Sequence, residues 1–185
     1  MGVIFLDRDG VINHNVDGYV TSPAQWMPLP GSIAAMERLN QAGYRLAIIT
    51  NQAGIGKGIM TIKQLEDIHQ HMLGILKTHH IRIEQIYYCP HAPDQECFCR
   101  KPSPGMLLKA AEDLKVPLKE VWMVGDAARD VRAARAAGAR PALVLTGHGH
   151  ETLNELKTSS ESSRLGVYRN LLDFADACID KRLIQ

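Results

Sequence analysis

The chain lacks any apolar run near the roughly 18 residues a membrane-spanning helix needs, so no membrane association is expected. No basic run precedes the short apolar stretch in MGVIFLDRDG, and charge arrives by Asp7. A signal peptide is therefore not expected, and the cytoplasm is the expected compartment. Charge of one sign is not in excess, because 21 Lys and Arg stand against 20 Asp and Glu for a net charge of +1. No whole-protein field draws nucleic acid or an anionic membrane, so any anion site must be local. Cysteine is scarce and unevenly spread: of four, Cys89, Cys97 and Cys99 crowd together while Cys178 stands alone in a helical pattern. That distribution suggests metal rather than a disulfide framework. Internal repeats and linkers are missing too, with TSSESS reading as a surface loop. At roughly 150 residues per domain, the 185 residues predict a single domain over 1–185. The small size and neutral charge balance permit a monomer, which is the expected state.

What is present is an alternation of buried strands and helices. Val3 to Leu6 is a short apolar run stopping at Asp7, Leu46 to Ile49 ends at Thr50, and Val121 to Val124 ends at Gly125-Asp126. Ile83 to Tyr88 and Ala142 to Leu145 read as further strands. Helical spacing runs from Ser32 to Gly43, where Ile33, Met36 and Leu39 recur. Thr61 with Gln64 predicts a capping-box start to the next helix. Ser103-Pro104 predicts a helix with proline in its first position, and a further helix is predicted from about Asp130 to Ala137. Such alternation predicts an α/β fold of three layers, Rossmann-like, with a mainly parallel sheet and no large cap domain.

Ligands of open parallel sheets bind at the carboxyl ends of the strands. Three apolar strands here end in residues that chemistry can use: Asp7 with Asp9, Thr50 with Asn51, and Asp126 with Asp130. Each alone reads equally as a turn residue or a helix cap, and their repetition at one topological place argues for a site. The segment FLDRDGVIN, then IITNQ, the lysine in RKPSPGM and VGDAARD, in that order, resemble the four motifs of the haloacid dehalogenase (HAD) superfamily of phosphohydrolases over residues 3 to about 145.

That resemblance implies a mechanism on matching positions. Asp7 would be the nucleophile that becomes an aspartyl phosphate, and Asp9 the acid and then the base. Thr50 would hold phosphoryl oxygens, and Lys101 would neutralise charge. Mg2+ would be held by the Asp7 carboxylate, the Asp9 backbone carbonyl and Asp126, with Asp130 orienting that shell from behind or capping the following helix.

Cys89, His91, Cys97 and Cys99 form a CxH-x5-CxC arrangement that suits tetrahedral Zn2+. With four protein ligands the ion has no open position, so a structural staple is expected, aiming the adjacent Arg100 and Lys101. The zinc-stapled loop together with DRDGVIN and TNQAGIGKG resembles the histidinol-phosphatase branch of the superfamily, and within it the phosphatases of D-glycero-D-manno-heptose 1,7-bisphosphate. The resemblance implies removal of the 7-phosphate in ADP-heptose synthesis for lipopolysaccharide core, with histidinol phosphate as the alternative substrate. Substrate contacts would come from Asp17, Gly18 and Tyr19, from Thr50, Asn51, Gln52 and Ala53, and from Arg100 with Lys101. Two departures stand out: Ala127 where some members carry Lys, and a slightly longer spacing between DRDG and GYV.

The GIGKG loop lacks the spacing and the Ser or Thr of a P-loop, so no nucleotide is expected there, and Lys57 reads as a solvated lysine or as one that leans toward a sugar phosphate. TGHGH, with His148 and His150, reads as a polar turn after the last sheet strand. Trp26, Trp122, Met123 and Cys178 read as packing. A scaffold that binds phospho-ligands without catalysis is disfavoured, because Asp7, Asp9, Lys101 and Asp126 are all chemically competent.

Overall fold

The computed structural model describes residues 2–163 and 165–180. Its centre is a six-stranded parallel sheet in the order β3-β2-β1-β4-β5-β6, formed by β1 (Val3–Leu6), β2 (Arg45–Asn51), β3 (Ile83–Cys89), β4 (Trp122–Gly125), β5 (Arg140–Val144) and β6 (Gly166–Tyr168). Apolar residues run continuously through β1 and β4 because both faces of those strands are covered. Ile4 and Leu6 face one layer, containing α1 (Ser32–Gln41), α3 (Ile62–Thr78) and α7 (Leu171–Ile179). Val3 and Phe5 face the other, with α4 (Gly105–Leu114) and α5 (Ala128–Ala137), while α6 (Gly149–Thr158) closes over β5 through Leu156 and Leu143. The short α2 (Ala53–Gly56) follows β2. Among the described residues, no helix is long and apolar enough to cross a membrane.

From β1 the chain builds outward through β2 to β3, then returns to the other side of β1 and builds outward through β4, β5 and β6. The order therefore reverses between β1 and β4, which opens a crevice above their carboxyl ends. Asp7 and Asp126 stand at those two ends, and the Asp7 amide is tied across to the Val124 carbonyl at 2.9 Å.

The Thr61 capping box forms as the sequence predicts, with Gln64 N–H donating to Thr61 Oγ1 at 3.2 Å and Thr61 N–H donating to Gln64 Oε1 at 2.8 Å. Two helix starts differ from expectation. α4 begins at Gly105, with Pro104 as its cap. α5 begins at Ala128, because Asp130 reaches back from inside the first turn to accept the Ala127 amide at 3.1 Å. TGHGH follows β5, but β5 is not the last strand: β6 pairs with it, Ala142 opposite Gly166.

Candidate active site

Lys101 organises the crevice floor. Its side chain is 0% exposed, and Nζ lies 3.0 Å from Asp7 Oδ1, 2.6 Å from Asp130 Oδ1 and 2.7 Å from the Ile49 carbonyl that accepts from it. Burial alone would lower the Lys101 pKa, but Asp130 and Asp7 outweigh it and the net shift is upward, so the ammonium stays charged. Asn51 fixes the lysine's backbone by a reciprocal pair: its Nδ2 donates to the Lys101 carbonyl at 2.9 Å and its Oδ1 accepts the Lys101 amide at 3.1 Å.

Asp7, Asp126 and Asp130 bring carboxylate oxygens within 4.8 Å of one another, all buried. Burial pushes Asp7 up to about 7 against the pull of Lys101, and burial followed by Asp130 pushes Asp126 up. Asp126 Oδ2 accepts from the His148 amide at 2.9 Å and from Asn15 Nδ2 at 3.3 Å, whereas buried Asp126 Oδ1 has no hydrogen-bond partner among the described residues. A bare buried oxygen beside two further carboxylates is a fit for a hard cation.

TGHGH is thus part of the site's frame, not simply a polar turn. His148 supplies an amide to Asp126, and Thr146 Oγ1 donates to the Gly10 carbonyl at 2.6 Å. Gly10 and Gly147, both at positive φ, let two stretches of backbone close on that carboxylate. A Cβ on either would lie 2.1 Å from Asp126 Oδ2.

Asp9 faces the crevice mouth and is dense with donors. Arg8 Nη2 donates to both its oxygens at 3.0 and 2.9 Å, Asn13 Nδ2 at 2.9 Å and Gln52 Nε2 at 3.1 Å. Burial raises its pKa, but Arg8, Asn13 and Gln52 together outweigh burial and hold it below the usual range. Thr50 is buried beneath, where its Oγ1 accepts from Gln52 Nε2 at 2.9 Å.

Above these groups opens a cavity of about 460 Å³. Of the residues expected to contact substrate, Gly18, Tyr19, Asn51, Gln52, Ala53 and Arg100 line it together with Asp9. Asp17 is exposed and outside that lining, and Lys101 and Thr50 lie below it. Asn15, Val16 and Val20 of the loop after the first motif also line it, as do Arg129 and His148, which the sequence does not single out for the site. Lys57 also faces the cavity, with Nζ 5.6 Å from the centroid of the Tyr19 ring. Arg129 is the informative omission. It stands two residues beyond Ala127, and Asp130, Asp7 and Asp126 overcome its burial to raise its pKa.

Cys89, His91, Cys97 and Cys99 converge as expected. Sγ of Cys89 lies 3.5 Å from His91 Nδ1, 3.7 Å from Cys97 Sγ and 3.3 Å from Cys99 Sγ, and His91 Nδ1 lies 3.2 Å from Cys99 Sγ. Tetrahedral zinc with bonds of about 2.0–2.3 Å spaces its ligands about 3.5–3.8 Å apart, so these four separations match within about half an ångström. Its loop also abuts α2: Gly56 N–H donates to the Pro90 carbonyl at 2.8 Å, and a Cβ at Gly56 would lie 2.4 Å from the Ala92 nitrogen. Gly56, the middle glycine of GIGKG, thus serves packing against this loop. Arg100 Nη1 donates to the His91 carbonyl at 3.3 Å.

Residues 98–173 match the HAD-hydrolase-like family model. D-glycero-beta-D-manno-heptose-1,7-bisphosphate 7-phosphatase of Pseudomonas putida is 44% identical over 185 residues, the whole of both chains. The protein of that name from Neisseria meningitidis serogroup A is 41% identical over 175 residues, 95% of this chain and 93% of its own. Among solved structures, D,D-heptose 1,7-bisphosphate phosphatase from B. bronchiseptica, complexed with magnesium and phosphate, superposes with a TM-score of 0.93 at 39% identity, covering 98% of this chain and 99% of that one. With end-to-end identity at this level, and with aspartates, lysine and Cys/His cluster assembled on one parallel sheet, the chain belongs to the HAD-like hydrolases and, among them, to the D-glycero-beta-D-manno-heptose-1,7-bisphosphate 7-phosphatase family.

Proposed function

We propose that this protein hydrolyses the 7-phosphate of D-glycero-β-D-manno-heptose 1,7-bisphosphate, a step in ADP-heptose and lipopolysaccharide core synthesis, through an aspartyl phosphate on Asp7. The observation that carries this reading is Asp7 held against Lys101 at the floor of a cavity whose rim is cationic, in a chain matching such phosphatases over its whole length. We take residues 1–185 as one domain, since a single six-stranded sheet gathers the described elements, and propose that it acts as a cytoplasmic monomer.

A carboxylate oxygen of Asp7 attacks phosphorus, and the bond from phosphorus to the sugar O7 breaks. Asp9 gives its proton to the departing alkoxide. It then takes a proton from water, whose oxygen attacks the aspartyl phosphate and releases inorganic phosphate and free Asp7. The donors around Asp9 favour its ionised carboxyl, so Asp9 takes up its proton as the dianionic phosphate enters, and Arg8 then holds one oxygen while the other presents that proton to the leaving group. Lys101 keeps Asp7 oriented and offsets anionic charge on the transferring group. Mg2+ is the proposed cation, held by Asp7, Asp126 through its bare Oδ1, and the Asp9 carbonyl, where it would supply charge neutralisation at the phosphoryl oxygens. Asp130, committed to Lys101, stands behind them.

The uncleaved 1-phosphate needs its own cations, and Arg100, Arg129 and Lys57 line the cavity for it. The test compares kcat/KM with Mg2+ for the β bisphosphate, its α anomer and histidinol phosphate. The β bisphosphate is expected to lead, and a preference for histidinol phosphate would refute the substrate assignment. In the same assay Arg129→Ala is expected to raise KM for the bisphosphate roughly 10- to 100-fold, the worth of a charged phosphate contact, and to change histidinol phosphate turnover little. An equal fall on both substrates would place Arg129 in the charge balance of the aspartates instead.

Zn2+ is the proposed occupant of the Cys/His cluster. It would hold Arg100 from one side and α2 from the other. Chelation followed by restoration of Mg2+ alone is expected to lower Tm by about 10 °C and raise KM, with recovery on adding Zn2+. Fold and activity untouched by zinc removal would defeat this assignment.

A further inference from the structure

Arg8, between the two aspartates of the first motif, is 0% exposed although it carries a full charge. Its guanidinium is held at both ends. Nε and Nη2 face the Asp9 carboxylate, Nε at 3.3 Å and Nη2 at 2.9 Å, while Nη1 meets Nε2 of His69 at 3.2 Å. Arginine can only donate, so His69 Nε2 is the acceptor. His69 projects from α3, 61 residues further along the chain, is 7% exposed, and rests edge-on against the Tyr88 ring with centroids 6.1 Å apart. Burial, reinforced by the neighbouring Arg8 charge, pushes the imidazole down to about 3, so the lone pair on Nε2 stays available.

We propose that His69 is a positioning residue for phosphoryl transfer: by accepting from Nη1 it fixes the plane of the buried Arg8 guanidinium, and that plane sets where the Asp9 carboxyl stands at the mouth of the cavity. A guanidinium is a rigid fork, so anchoring one prong fixes the direction of the others. Without an acceptor at Nη1 the fork would turn in search of another partner, because a buried donor left unpaired is costly. Asp9 would turn with it. Neither His69 nor Arg8 lines the cavity, so the effect reaches the reaction only through Asp9.

The inference rests on Asp9 being the acid and base, and the experiment separates the two ideas. Asp9→Asn with full turnover of the heptose bisphosphate would remove the Asp9 assignment itself. With that variant inactive, His69→Leu and His69→Gln are compared by kcat/KM on the alkyl bisphosphate and on p-nitrophenyl phosphate, whose leaving group departs without a proton. His69→Leu is expected to lose at least about tenfold on the alkyl ester and under about threefold on the aryl ester. His69→Gln, whose Oε1 can accept from Arg8, is expected to restore the alkyl reaction. If the leucine variant does not fold, His69→Asn replaces it, being polar but too short to reach Nη1. An unchanged alkyl reaction, an equal fall on both esters, or a glutamine variant no better than leucine would overturn the proposal.

Discussion

Asp7→Asn is expected to abolish phosphate release, by at least about 10⁴-fold, while leaving the fold in place. The amide keeps an acceptor oxygen where Asp7 Oδ1 takes the Arg8 amide at 2.8 Å and lies 3.0 Å from Lys101 Nζ. Lys101 also retains Asp130 and the Ile49 carbonyl, so no buried charge is orphaned. Burial opposes ionisation at Asp7, so removing its charge relieves a cost instead of imposing one. What the amide cannot do is form an acyl phosphate and then release it. Acid-quenched enzyme incubated with labelled substrate should carry base-labile phosphate in the parent protein and none in the variant, with Tm within a few degrees. Wild-type activity in Asp7→Asn would refute the nucleophile assignment outright.

Much of this site is legible in sequence because its acidic groups and its cysteines sit at strand ends, where position along the chain already implies position in space. Val3–Leu6 followed by Asp7, and Trp122–Gly125 followed by Asp126, are local patterns that burial alone explains. The Cys/His cluster is legible for a similar reason, since its four ligands lie within eleven consecutive positions. Less legible are the contacts that cross the chain. His148 holds Asp126 with a backbone amide, a donor that every residue but proline possesses, and only Gly147 beside it hints that main chain must come close. His69 lies on an amphipathic helix where one buried polar residue among Leu65, Ile68 and Met72 looks like packing until Arg8 is found beneath it. Arg129 is less legible because the carboxylates carry the VGDAARD motif, although a cation two residues past Ala127 is an available signal.

These long-range contacts explain how one carboxylate motif can hold such different groups. Asp126 has one oxygen pinned by backbone and the other bare, Asp9 has both oxygens surrounded by N–H donors, and Asp7 faces a single ammonium and one amide. The proposed roles follow that order: a cation ligand, a proton carrier and a nucleophile. Because these environments are built by residues far apart in sequence, the aspartate spacing identifies the superfamily while the surroundings divide the labour.

Lys101→Met should be the most destabilising single change at the site as well as an inactivating one. Methionine fills similar volume, but Asp7 and Asp130 would then face each other buried and without their cation. Breaking a buried ion pair by removing one partner costs about 3–5 kcal/mol, which for a domain of this size lowers Tm by about 10 °C. Loss of charge compensation in the transition state is expected to cut kcat/KM by a further factor of about 10²–10³. Lys101→Arg should not rescue either property, because a guanidinium needs room and planar partners that a 0% exposed lysine pocket does not offer. The discriminating variant is the double Lys101→Met, Asp130→Asn. Removing the charge that Lys101 most closely balances should recover a good part of the lost stability and none of the activity, since Asp7 still lacks its cation. Additive losses of stability in that double variant would mean the two side chains are not coupled, contrary to the 2.6 Å contact between them.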